Sequence, residues 1–345
     1  MSARRPLIAS AMLLGLAACS VAPVSSPSPD GPPVFDGTFT LYAGRAEDLI
    51  APLIADFEDE TGIEVAVRYA GTTELAALLQ EEGSATPADV FLSQDAGALG
   101  AVSGEGLFAV LPDSVTAKIP AAYTSRDNTW VGITGRARVI AYDGKSLTPD
   151  EAPESVLDLV DPRWRGQVGI APTNASFQSF VTALRVLEGE DAARAWLEAM
   201  IANDVQIYPN NGAIRDAVDS GEIQLGLINH YYWYQKAAEV GADALRVQLS
   251  FPAAGDAGGI VNVTGAGLLS AAGNDGDALA FLAYLVSEKG QQYFVEKTYE
   301  YPLLPGVAAP DGLPPLESLT NPNLDLSDLD DLAGTTALLA SVGLL

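Results

Sequence analysis

TFTLYAGRAEDLIAPLIADFEDETGIEVAVRYAGTTELAALLQEEGSATPADVFL, residues 38–92, alternates strand and helix patterns. Phe39–Tyr42 is a short strand-like run. Leu49, Ile50, Leu53, Ile54 and Phe57 then recur with helical spacing, and Gly62 stops that helix. Ile63, Val65 and Val67 alternate as a strand does. Leu75, Leu78 and Leu79 mark a second helix, closed by Gly83. Ala88–Leu92 is a brief apolar run suited to a buried strand. A β-α-β-α-β series predicts an α/β fold of mostly parallel sheets with helices on both faces.

The pattern restarts downstream. Arg138–Tyr142 and Val168–Ala171 read as strands, and Phe177–Leu187 as a helix. Ile223–Ile228 is another strand, again followed by a helix. Two α/β lobes with a cleft between them accommodate both series. Ligands of open α/β sheets sit beyond the carboxyl ends of the strands, and two lobes meeting there can close on a solute by a hinge.

With 345 residues, 48% of them hydrophobic, the chain is long enough for two globular lobes. Its 45 acidic residues against 18 Lys and Arg leave a charge of -27. That disfavours nucleic-acid binding and charge-driven attachment to anionic lipid, both of which need a basic surface. Arg4 and Arg5, the apolar run Leu7–Leu16 and then Leu16-Ala17-Ala18-Cys19 have the layout of a secretory signal. The lone cysteine, Cys19, resembles the lipidated residue of a bacterial lipoprotein. Residues 1–18 are thus expected to be a signal peptide, and 19–37, rich in Pro and Ser, a lipid-anchored flexible linker. An acylated Cys19 leaves no thiol for a disulfide or for catalysis.

Three strand ends carry candidate chemistry. Asn229-His230-Tyr231-Tyr232-Trp233-Tyr234 follows Ile223–Ile228. With Asn229 as a helix cap, Tyr231 and Tyr232 fall in a first helical turn. Phenolates are hard anionic donors suited to ferric iron, whose charge favours loss of the phenol proton. The other reading of this run is aromatic packing along the wall between the lobes. Pro172-Thr173-Asn174-Ala175-Ser176 joins a strand to a helix, as an anion site or as ordinary capping. Arg45, Arg136 and Arg138 could supply charge to an anion, or serve as salt bridges. Gln94 and Asp95 lie at a third strand end, facing the cleft or, for Asp95, capping a helix. His230 is the only histidine. Nothing resembles a zinc site, a phosphate-binding Walker loop or a nucleophile–base pair, so an enzyme is not expected.

From about Thr38 to the C-terminus the chain resembles the periplasmic ferric-iron-binding proteins of bacterial ABC importers. The stretches that carry the resemblance are LYAGR (41–45), TGIEV (61–65), EEGSATPADVFLSQDAGAL (81–99), GRARVIAYD (135–143), DPRWRGQVGIAPTNASF (161–177), INHYYW (228–233) and YEYPLLPGV (299–307). The resemblance implies a two-lobed periplasmic-binding-protein type II fold with its ligand cleft between the lobes. One lobe would be 38–136 plus 263–312, the other 137–262 plus 313–345. It implies Tyr231 and Tyr232 as iron ligands. It also implies an anion loop at Thr173, Asn174, Ala175 and Ser176, and cleft asparagines at Asn211 and Asn229. Several members complete the iron shell with a His and a Glu, and those positions here hold Ala46 and Gln94. A third tyrosine that other members place in the anion loop is not evident. The expected cargo is therefore Fe(III) on two phenolates, completed by a synergistic anion such as carbonate, phosphate or citrate, with Arg45 as its partner. The expected partners are an ABC permease with its ATPase, and the membrane through the lipid on Cys19. The protein is expected to be an exported monomer. The alternative keeps the fold but changes the solute to a ferric chelate, polyamine, sugar or oxyanion.

Overall fold

The computed structural model describes residues 32–253 and 255–345. The Cys19 lipidation motif and the signal segment lie outside them.

The first half contains β1 (Thr38–Ala43), α1 (Glu47–Thr61), β2 (Glu64–Tyr69), α2 (Thr72–Glu82), β3 (Val90–Ser93), α3 (Ala96–Gly104) and the short α4 (Asp113–Thr116). β1 pairs in parallel with β2 and β3, the arrangement predicted from residues 38–92. In α1, Ile50, Leu53, Ile54 and Phe57 are buried and the other face is acidic. Phe57 meets Phe281 edge-on at 5.1 Å. Burying each such side chain contributes about 1.5–3 kcal/mol. Gly62 ends α1 at φ 74°, a left-handed conformation that favours glycine.

β4 (Val131–Asp143) is longer than the Arg138–Tyr142 strand expected, and all 13 of its residues are buried. Burial on both faces removes the alternation by which a strand is recognised. The second half adds β5 (Val168–Ile170), α5 (Ala175–Glu188), α6 (Glu190–Ala202), β6 (Gln206–Ile207), α7 (Asn211–Ser220), β7 (Leu225–Asn229), α8 (Tyr231–Val240) and β8 (Val247–Ser250). The chain then returns through β9 (Val261–Leu268), α9 (Gly276–Leu285), α10 (Glu288–Tyr293), β10 (Tyr301–Pro302) and α11 (Leu332–Ser341).

The strand order is β2-β1-β3-β9-β4-β7-β5-β6, with β8 and β10 also paired to β4. Both wings are parallel and the centre is antiparallel. Residues 131–137 of β4 pair with β9, whereas Arg138–Tyr142 pair with β7. One strand thus serves both halves of the sheet and changes partner between Ala137 and Arg138. Helices cover both wings, giving a mixed α/β architecture. Among the described residues no helix is long and apolar enough to cross a membrane.

Contacts begin ahead of β1. The amides of Asp36 and Gly37 both donate to Asp277 Oδ2 at 2.8 Å. At the other end, the C-terminal segment touches both halves. Arg185 of α5 pairs with Asp331, and a Cβ on Gly100 of α3 would come within 2.9 Å of the Asp330 backbone.

The far end of β4 is held by charge. Asp143 accepts hydrogen bonds from Arg246 Nε (2.5 Å), Ser146 Oγ (2.5 Å) and the Lys145 amide (3.0 Å). Burial pushes its carboxyl up, but these donors outweigh burial and bring it down to about 2. An unfolded aspartate titrates near 3.9. The stabilisation is therefore complete above about pH 4 and lost as pH falls through about 2. Asp143→Asn is expected to cost about 2 kcal/mol at neutral pH. In thermal unfolding, the gap from wild type should close between about pH 4 and 2; a gap independent of pH would rule out the ion pair as its source.

Candidate functional site

Tyr231 and Tyr232 open α8 directly at the carboxyl end of β7. Asn229 does not cap this helix. It is the last residue of β7, in register with Arg138, and His230 takes the cap position with a helical backbone and no side-chain cap. The chain therefore turns from strand to helix within one residue, His230, whose side chain makes no capping hydrogen bond. Gly226 of β7 lets α7 lie close, since a Cβ there would come within 2.2 Å of Ile214 Cγ2.

The two phenol rings stack, with centroids 4.4 Å apart and planes 26° from parallel. Tyr231 is buried and Tyr232 half-buried. Burial pushes the Tyr231 hydroxyl far up, Tyr232 and Glu300 add to this, and Arg45 and Arg136 oppose it. The phenol is thus protonated at neutral pH, and a ligand that needs the phenolate must displace the proton. Among the described residues, no group of three or more His, Cys, Asp or Glu side chains converges as a metal cluster.

Three arginines converge on this pair. Arg45 follows β1, with its guanidinium 5.8 Å from the Tyr231 ring centre. Arg136 and Arg138 flank the partner change in β4, two residues apart and so on one face of the strand. All three are buried, and each keeps at least one buried nitrogen without a partner among the described residues: Arg45 Nε, Arg136 Nε and Nη1, Arg138 Nε and Nη2. Burial, and then the charge of Arg136, push Arg138 down to about 9. A buried guanidinium with free donors is costly unless an anion answers it. These cations form a positive focus inside a chain of net charge -27.

The expected anion loop lies beside them. Asn174 caps α5, accepting from the Ser176 amide (3.0 Å) and hydroxyl (2.7 Å). The Ser176 oxygen also accepts from Arg138 Nη1 (3.2 Å) and Asn211 Nδ2 (3.1 Å). Asn211 Oδ1 is buried without a partner. Asn174, Ser176, Asn211 and Arg138 thus form one cluster. Ala175 is buried within it and Thr173 is exposed.

The third strand end is different. Asp95 caps α3, accepting from the Ala98 amide (2.9 Å) and from Ser179 Oγ (3.1 Å). The capping alternative therefore describes it. Burial pushes its carboxyl up, while the Ala98 amide and the charge of Arg136 pull it down. Gln94 is half-buried, and its backbone N–H donates to Thr72 Oγ1 (3.2 Å). Ala46 is exposed ahead of α1.

Two residues escaped the sequence reading as parts of this site. Glu300 is fully buried and pairs with Arg45 Nη2 and the Thr134 hydroxyl. His230 is also buried. Its Nδ1 accepts the Ala137 amide (3.1 Å), which places the ring proton on Nε2, toward the Tyr299 carbonyl (2.9 Å). Burial pushes this imidazole down to about 4, so it is neutral. The signal for Glu300 was a single acid inside the aromatic and proline-rich run 299–307.

Residues 85–325 match the bacterial extracellular solute-binding protein family. The chain is 33% identical over 296 residues to the Fe(3+)-binding periplasmic protein of Serratia marcescens, covering 86% of this chain and 87% of that one. Its fold superimposes on iron-bound HitA from Pseudomonas aeruginosa with a TM-score of 0.84, 35% identity, and coverage of 89% of this chain and 99% of the other. It also matches a Trichodesmium protein solved with iron and citrate, with a TM-score of 0.75, 30% identity, and coverage of 90% and 100%. A match over most of the chain, in sequence and in fold, makes this protein a member of the bacterial extracellular solute-binding protein family.

Proposed function

We infer that the protein captures ferric iron together with a small polyvalent anion and delivers it to the permease and ATPase of an ABC importer. The observation that carries this reading is the stacked pair Tyr231 and Tyr232 facing three buried arginines with free donors. The Serratia and Pseudomonas proteins, named or solved as iron binders, support it.

Charge balance narrows the anion. Fe(III) on two phenolates leaves one positive charge. Arg45 is paired with Glu300, and Arg136 interacts with Asp95. Among the described residues Arg138 has no acidic partner, and it adds a second positive charge. A dianion balances the pair, which suits carbonate, hydrogen phosphate or two carboxylates of citrate. The Trichodesmium complex, which holds citrate, supports this choice. Arg138, Ser176, Asn174 and Asn211 would hold the anion, and Arg45 would face it from the other half.

Capture would proceed by closure of the two lobes, 38–136 plus 263–312 over 137–262 plus 313–345, about the partner change in β4. The run Leu16-Ala17-Ala18-Cys19 supports export and a lipid anchor on the outer side of a membrane. The protein would act as a monomer.

The arginines disfavour a polyamine, which is itself cationic. They leave an oxyanion, a sugar or a preformed ferric chelate as the second reading. Titration of the metal-free protein with Fe(III) in the presence of carbonate, phosphate or citrate, and with each anion alone, separates the readings. A reddish phenolate-to-iron absorbance that needs both components is expected. Tight binding of an anion with no response to iron would replace the iron reading with an oxyanion carrier.

A further inference from the structure

We propose that Glu300 is a positioning residue for the iron site: it aims the free Nε–H of Arg45 at the anion beside Tyr231. This rests on the ferric-iron reading above and identifies what sets its anion preference. Glu300 touches neither phenol; its charge adds to the burial that keeps Tyr231 protonated, and its positioning action runs through Arg45.

The geometry is specific. Both Glu300 oxygens are engaged, one by Arg45 Nη2 and the other by the Thr134 hydroxyl. Arg45 Nη1 donates to Thr264 Oγ1 at 2.8 Å. A guanidinium is planar, so two anchored nitrogens fix the direction of the third. That third nitrogen, Nε, is buried and has no partner. The anchors come from β4, β9 and the segment before β10, so side-chain flexibility within the Arg45 loop alone cannot reorient it. Gly44 adds to this: a Cβ there would lie 2.1 Å from Thr72 Oγ1, and the Thr72 hydroxyl donates to the Gly44 carbonyl at 2.7 Å.

The preceding residue holds a second group that lies near the same phenol. Tyr299 has φ 59°, left-handed for a residue that rarely adopts it. In that conformation its carbonyl receives His230 Nε2 at 2.9 Å, and the His230 ring lies edge-on to Tyr231 at 6.0 Å. The dipeptide Tyr299–Glu300 therefore holds the arginine and the histidine that flank Tyr231.

The test is a double-mutant cycle of Glu300→Gln and Arg45→Met, read by Fe(III) titration with carbonate, phosphate and citrate in turn. E300Q is expected to keep the phenolate-to-iron band, with a shifted maximum. It should lose roughly 10–100-fold in affinity, the range for a partner one step removed from a metal. Its preference among the three anions should flatten. R45M should lose at least as much, and on that background E300Q should change the anion preference no further. Thr264→Val frees Arg45 Nη1 without stranding a buried charge; it should weaken anion preference in the same direction and serves where E300Q does not fold. Additive effects of the two substitutions on anion preference, or an unchanged preference in E300Q or T264V, overturn the proposal. A wild-type protein without an iron band overturns the iron reading and this inference with it.

Discussion

Tyr231→Phe with Tyr232→Phe abolishes the reddish iron absorbance, and affinity for Fe(III) falls by more than the roughly 10–100-fold typical of losing an outer partner. The substitutions remove only two hydroxyls, so the stacked rings at 4.4 Å are retained and the fold should persist. Two consequences separate ligation from packing. Iron capture by wild type should release protons, because burial holds the Tyr231 phenol in its protonated form in the free protein. The double variant should release none. Each single variant should retain part of the affinity with a displaced absorbance maximum. If the double variant keeps both colour and affinity, the tyrosines are packing residues, the other reading their sequence allowed.

Arg138→Met should move stability and binding in opposite directions. Arg138 has its guanidinium 5.7 and 5.6 Å from the ring centres of Phe177 and Phe180, and among the described residues only Ser176 Oγ accepts a hydrogen bond from that guanidinium. It is repelled by Arg136, and two of its nitrogens are buried without partners. Methionine keeps the unbranched stem between the aromatic rings and removes the charge. Replacing an unpaired buried ion by an apolar side chain is expected to stabilise the anion-free protein by about 1–3 kcal/mol. Thermal unfolding should register this as a rise of roughly 2–4 °C for each kcal/mol. Anion-dependent iron binding should meanwhile fall by at least 10-fold, as loss of a charge-assisted contact implies. Lower stability of the variant in anion-free buffer would mean that Arg138 holds the fold together rather than waiting for a ligand. Strain of this kind at binding sites is a common exchange of stability for function.

Much of the fold was legible because residues 38–92 follow simple periodicities. Helical spacing of Leu49 to Phe57, alternation of Ile63 to Val67 and glycine stops at Gly62 and Gly83 are local properties, and the structure reproduces them. The centre of the sheet was less legible. β4 is buried on both faces and carries two glycines and two arginines, so it has no alternation to read. Gly132 and Gly135 sit in it because other chain segments press close: a Cβ on Gly132 would lie 2.5 Å from the Tyr123 carbonyl. That reason exists only after folding. The helix start at Tyr231 was placed correctly, but its cap was assigned to Asn229. The strand pairing that draws Asn229 to Arg138 joins residues far apart in the chain, and local cap preferences do not register it.

What the sequence by itself determined is the class of protein and the location of its two phenols. Periodicity set the α/β pattern, and a run of matching motifs set the family. Tertiary structure decided the surroundings of those phenols. Arg45, Arg136 and Arg138 are each an ordinary charged residue in one dimension. Burial together, within reach of Tyr231, turns them into a demand for an anion. Glu300 lies 255 positions from Arg45, and only folding brings the two together. Charge interactions depend on distance and on exclusion of water, and neither is written along the chain.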